Sequence, residues 1–94
     1  MTFNQSLAEQ FLEETSDEED SHEWIIVYDF IQEKPSLKFW KNLDRLMEIS
    51  TVRRIQYSVL MAEKKGDAFA AEKLAVYYGA EVEVFRCVRM GGVS

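Results

Sequence analysis

Residues 24–30, Trp24-Ile25-Ile26-Val27-Tyr28-Asp29-Phe30, constrain this chain more than any other stretch. Four apolar residues, three of them β-branched, run into Tyr28 and then a carboxylate. A continuous apolar run of this length reads as a strand covered on both faces. It is too short for a stable helix, and Lys34-Pro35 follows within a few residues as a breaker. Asp29 therefore stands where the strand leaves the core. A strand fixes such a carboxylate while the following loop exposes it, which makes strand ends a common place for chemistry.

Ninety-four residues suffice for one modest core and not for two. No apolar run approaches the roughly 18–20 residues of a membrane span, and residues 1–14 lack the basic start and apolar block of a signal peptide. Cys87 is the only cysteine, which excludes a disulfide framework or a thiolate zinc cluster. His22, the only histidine, lies among acids, so histidine-based catalysis has little to work with. These features place the protein in the reducing cytoplasm, without a membrane partner.

The net charge of −6 conceals an asymmetry. Residues 1–23 carry eight acids and neither lysine nor arginine, whereas residues 24–94 carry nine acids against eleven bases, a net of +2. An acidic N-terminal tail over 1–23, solvated and disordered along 15–23, precedes a mildly basic domain over 24–90. Leu7, Phe11 and Leu12 would share one side of a short helix, which is marginal alone. The tail either solubilises the chain or competes with a polyanion for the domain's basic surface.

After the first strand, Pro35 suits the first turn of a helix. Phe39, Trp40, Leu43, Leu46 and Met47 follow helical spacing and give that helix its buried stripe, while Lys38, Lys41 and Arg45 share another stripe. Residues 52–63 alternate as a strand, kinked near Ser58 or continued as a second segment. Lys64-Lys65-Gly66 reads as a turn and Asp67 as the N-cap of a helix over 68–78. Ala71, Leu74, Ala75 and Tyr78 form its buried stripe, and Gly79 supplies a left-handed stop. Residues 81–88 form the last strand, with Val82, Val84 and Val88 on one face, and residues 91–94 fray.

This order predicts an α+β fold, a ferredoxin-like sandwich of βαββαβ type with an antiparallel sheet and two helices on one face. The opposite face is left without helices. Tyr57, Val59, Met61 or Phe85 there would favour dimerisation, although core packing explains the same residues.

Ile26-Val27-Tyr28-Asp29 at the end of the first strand, an amphipathic helix, and Arg54-Ile55-Gln56-Tyr57-Ser58-Val59 entering the second together resemble the CRISPR-associated protein two family, the small Cas adaptation subunit. The similarity runs through most of residues 24–88. The resemblance implies a homodimer that handles RNA or DNA in antiviral defence, either as a metal-dependent endonuclease or as the dimeric scaffold that docks the CRISPR integrase subunit. In the nuclease account Asp29 of each subunit is the catalytic residue and shares one Mg2+ or Mn2+ across the dimer axis. Two carboxylates supply hard oxygen ligands, and the ion activates water and offsets phosphate charge. Tyr28, Arg53, Arg54 and Ser58 would contact nucleic acid, with Lys38 and Lys41 adding positive charge.

The chain departs from the family pattern in three places. Leu60 stands where an aromatic is usual. The loop 30–35 lacks the usual arginines, and no extended segment follows the last strand. Each site residue also has a plain structural role open to it: Asp29 as an Asx-turn, Tyr28 as core, Arg54 as an exposed strand residue, Cys87 as a small buried apolar group.

Overall fold

In the computed structural model, which describes residues 5–16, 22–32 and 34–87, the continuous apolar run becomes one of the two central strands of a four-stranded sheet. The elements run α1 (Leu7–Glu14), β1 (Glu23–Asp29), α2 (Leu37–Ile49), β2 (Arg53–Gln56), β3 (Val59–Ala62), α3 (Lys65–Tyr77) and β4 (Glu81–Cys87). The sheet order is β2-β3-β1-β4, and all three pairings are antiparallel. Strands β1 and β3 lie at the centre because each is followed by a helix that returns the chain two positions along, with one strand between. This is the ferredoxin-like sandwich. No helix among the described residues is long and apolar enough to cross a membrane.

Alternation along β1 divides the molecule. Trp24, Ile26 and Tyr28 are buried beneath the helices, while Ile25 and Val27 are only half-buried on the other face. The run is thus covered fully on one side, not both. Phe39, Leu43 and Leu46 of α2 and Ala68, Ala71, Leu74 and Ala75 of α3 close over the buried side. Burial of each of the phenylalanine and leucine side chains contributes about 1.5–3 kcal/mol, so this layer holds the fold. The small alanines let α3 approach β1 closely.

Four local expectations are corrected. Ser36, not Pro35, starts α2: its hydroxyl accepts from the Phe39 amide at 3.2 Å, and proline precedes the cap. The long strand is a hairpin whose turn is Tyr57-Ser58, flanked by an irregularity at Ile55 between Arg54 and Gln56. No non-glycine among the described residues has positive φ. The hairpin accordingly lacks the left-handed turn residues that announce such a reversal, and the bulge adjusts the twist instead. Asp67 lies inside the first turn of α3, whose N-cap is Lys64. Its carboxylate accepts from the Thr51 amide at 2.8 Å and hydroxyl at 2.6 Å, tying the entry to β2 onto α3.

The fourth correction concerns the acidic tail. Within it, α1 is an ordered helix lying across α2 and α3, with a Ser6–Glu9 capping box. Ala8 is fully buried, Phe11 meets Tyr77 edge to face, and the buried Thr15 hydroxyl donates to the Gly66 carbonyl at 2.7 Å. Tertiary packing supplies the stability that eight residues lack alone. The expected disorder over 17–21, the place of Val88 in the last strand and the fraying of 91–94 all fall outside the described residues.

Candidate functional site

Asp29 is the last residue of β1 and is exposed. Strand parity puts it in the row of Ile25 and Val27, on the helix-free face of the sheet. That face continues through Val59 and Met61 of β3, which pair with Val27 and Ile25, and through Phe85 of β4, opposite Ile25. Phe85 is half-exposed there. At the Asp29 end the apolar surface becomes acidic: Glu81 is the register partner of Asp29, and Glu83 that of Val27.

Asp29 also stands between two clefts. One, of about 350 Å³, lies between the loop after β1 and the β2–β3 turn and is lined by Phe30, Gln32, Lys34, Tyr57 and Ser58 among others. The second, of about 300 Å³, runs along β4 past Glu81, Val82 and Glu83. The first is built by two backbone-directed contacts. The Tyr28 amide donates to the Ser58 carbonyl at 3.0 Å, and the Tyr28 hydroxyl donates to the Tyr57 carbonyl at 2.7 Å. The β2–β3 turn is thereby fixed beside the exit of β1.

Of the residues singled out in the sequence, Asp29 and Ser58 line this cleft, Ser58 half-buried. Tyr28 contributes to the wall, but its side chain is 1% exposed and packs edge to face on Phe30 and Phe39. It supports the site from the core and does not present a surface to nucleic acid. Burial raises its pKa, and the nearby positive charge of Arg54 partly opposes that rise.

Arg53 and Arg54, neighbours in sequence, are divided by strand alternation. Arg53 reaches across the helix-free face to the Met61 sulfur at 3.1 Å and lies 3.7 Å from Glu63. Arg54 turns to the other side, where its guanidinium sits 5.0 Å over the ring of Trp40. Lys38 and Lys41 are exposed on α2 and line neither cleft at Asp29. The third cation of that stripe, Arg45, is held by Glu9 at 2.9 Å and Glu48 at 3.2 Å.

Two aromatic residues join this constellation. Helical spacing assigns Trp40 to the buried stripe; Tyr57, expected on the helix-free face as a dimer or core residue, instead leaves that face at the turn. Tyr57, in the turn, is 68% exposed and tilts against Trp40 with ring centroids 5.6 Å apart. Nothing in the spacing distinguishes them from core residues; only the position of the turn does.

Among the described residues, no three histidine, cysteine, aspartate or glutamate side chains gather into a metal-ligating group. One chain offers Asp29 with Glu81 across the ladder, a hard-oxygen pair suited to Mg2+ or Mn2+ only if waters, phosphate or a second copy complete the shell. Comparison with family models, curated proteins and solved structures returns no match to this chain.

Proposed function

We propose that this protein is a homodimeric, CRISPR-associated nucleic-acid-handling protein in the cytoplasm, acting as a metal-dependent phosphodiesterase with Asp29 of both subunits at one site. The observation that carries the reading is the position of Asp29. It ends a central strand, on the rim of a half-exposed apolar face and at the mouth of a cleft. Two copies associating through that face near its acidic end would bring two carboxylates together, each fixed by a strand.

A bound Mg2+ or Mn2+ would activate a water and offset charge on the phosphate. The chain's own residues do the rest. Asp29 supplies a ligand oxygen, with Glu81 beside it in register. Lys34 and Ser58 line the same cleft and offer donors to non-bridging phosphate oxygens. The carboxylates Asp29, Glu81 and Glu83 would repel a bare phosphate, so productive binding depends on the cation.

The test is cleavage of labelled RNA and DNA with Mg2+ or Mn2+ by the wild type and Asp29→Asn. Loss of cleavage by at least a hundredfold, with the dimer intact, is expected. Equal cleavage by both proteins sinks the assignment. Absence of cleavage by either, with binding retained, leaves the second reading: a non-catalytic dimeric scaffold for nucleic acid or an integrase partner. The outward-facing Arg54–Trp40 pair favours that reading, since it offers binding chemistry without a reacting group.

A further inference from the structure

We propose that Trp40, Arg54 and Tyr57 form a stacking subsite for an unpaired nucleobase beside the Asp29 cleft. The inference rests on the reading of Asp29 as a phosphodiester site and adds the strandedness of the substrate.

Tyr57 belongs to both surfaces. Its residue lines the cleft with Asp29, and its ring leans on Trp40 at 5.6 Å and 53°. A tyrosine 68% exposed at a hairpin turn contributes little to the core, yet its backbone is pinned by the Tyr28 hydroxyl. The ring is thus held as a platform at low cost in conformational entropy. Trp40 is half-buried behind it, and Arg54 covers the Trp40 ring at 5.0 Å, leaving its guanidinium edge to meet a phosphate.

Stacking surface, a weakly hydrated cation and an adjoining cleft are the combination by which proteins hold single strands. A duplex keeps its base faces within its own stack and gains nothing from Tyr57. An extended peptide along the edge of β2 would use the ladder groups of that strand rather than the ring. The recognised chemistry is therefore a free π-face flanked by phosphate.

The experiment uses full-length Asp29→Asn protein with Ca2+ in place of Mg2+, so that a hard cation still offsets Glu81 and Glu83 while cleavage does not run. Affinities are measured by anisotropy for a labelled single strand of about 12 nucleotides, for the same strand with abasic central positions, and for its duplex. Adding Tyr57→Ala should weaken the intact single strand about tenfold and leave the abasic strand and duplex within about twofold. Tyr57→Phe should retain the affinity of the parent. Equal binding of intact and abasic strands, an equal loss on the duplex, or no binding of any strand overturns the subsite. The two readings fail separately. If the wild type does not hydrolyse strands in Mg2+ yet Tyr57-dependent binding stands, the hydrolytic reading falls alone. If Asp29-dependent hydrolysis is indifferent to Tyr57→Ala and to abasic positions, the subsite falls alone.

Discussion

Tyr28 and Tyr57 are joined by a 2.7 Å hydrogen bond from the buried phenol of one to the backbone carbonyl of the other. The bond links the last buried ring of β1 to the turn that forms one wall of the Asp29 cleft. Core packing on one side of Tyr28 is thus converted into placement of a loop on the other.

Tyr28→Phe keeps the ring and removes this link. It should cost about 1 kcal/mol, a fall in Tm of about 4–8 °C for a domain of this size. The pH dependence has a definite sign. Burial raises the Tyr28 pKa above its ordinary value of 10.0, so its contribution is complete below that pH and is lost as pH rises through the folded value. Thermal unfolding of the wild type should therefore fall more steeply above about pH 10 than that of Tyr28→Phe. Parallel alkaline limbs would contradict the assignment.

Gly79, which ends α3, has φ +98°, and a Cβ there would meet no atom within 4 Å. The cost of Gly79→Ala is then purely that of the left-handed backbone, about 1 kcal/mol. Urea unfolding should show a lower midpoint with an unchanged slope. A neutral or stabilising effect would show that the turn relaxes out of that conformation.

The elements legible in the sequence were those whose pattern and local chemistry agreed. An apolar run specified β1, an alanine-leucine stripe specified α3, and Gly79 marked its end. The pattern predicts two strands between the helices, with a kink near Ser58 or a second segment. The tight reversal itself was concealed because Tyr57-Ser58 lacks the glycine or asparagine that favours a hairpin turn, and β-propensity continues across it. That concealment also hid the site's aromatic wall, since only the turn turns Tyr57 outward. Helix α1 was legible as a short helix with Leu7, Phe11 and Leu12 on one side, and these residues do pack on the core. Its docking was not legible, because its charge predicts solvation while Ala8 and Thr15 find partners far away in sequence. Asp29 was legible as a position, whereas the separation of Arg53 from Arg54 follows only from which strand face meets α2.

The helix-free face gives a prediction about assembly. Phe85→Glu places a charge among Ile25, Val27, Val59 and Met61, next to an already acidic end. If two copies meet through this face, sedimentation velocity should show the dimer replaced by monomer for Phe85→Glu and retained for Asp29→Asn. Identical sedimentation of Phe85→Glu and wild type would move the interface elsewhere.

Glu9 gives an acid counterpart to Tyr28. Its hydrogen bond from Arg45, followed by that from the Ser6 amide, lowers its pKa below the ordinary 4.5. A lowered value stabilises the folded state above the unfolded pKa, and that contribution disappears as pH falls through the folded one. Protection of the α1 amides, relative to their intrinsic exchange rate at each pH, should fall on acidification below about pH 4.5 in the wild type. Glu9→Gln should lack this step and exchange faster already at neutral pH. A shared acid step would exclude the Glu9–Arg45 pair as its source.

The same carboxylates bear on nucleic acid. Glu9 holds Arg45 at 2.9 Å and Glu14 holds Lys73 at 3.1 Å, so α1 occupies two cations of the helical layer with its own acids. Both pairs are about half exposed, where an ion pair is weak and a polyanion competes on even terms. Glu9→Gln with Glu14→Gln would free Lys73 from Glu14 and leave Arg45 with Glu48 alone, without removing the apolar contacts of α1. If Arg45 extends the Lys38–Lys41 stripe as a phosphate-binding surface, the double variant should bind a single strand more tightly than wild type, with a larger gain at about 50 mM salt than at about 200 mM. Each newly engaged phosphate should steepen the logarithmic salt dependence by about 0.7. Titrations at the two salt concentrations check this directly. Affinities equal to wild type at both would show that the acids of α1 fasten the helix and do not compete with a ligand.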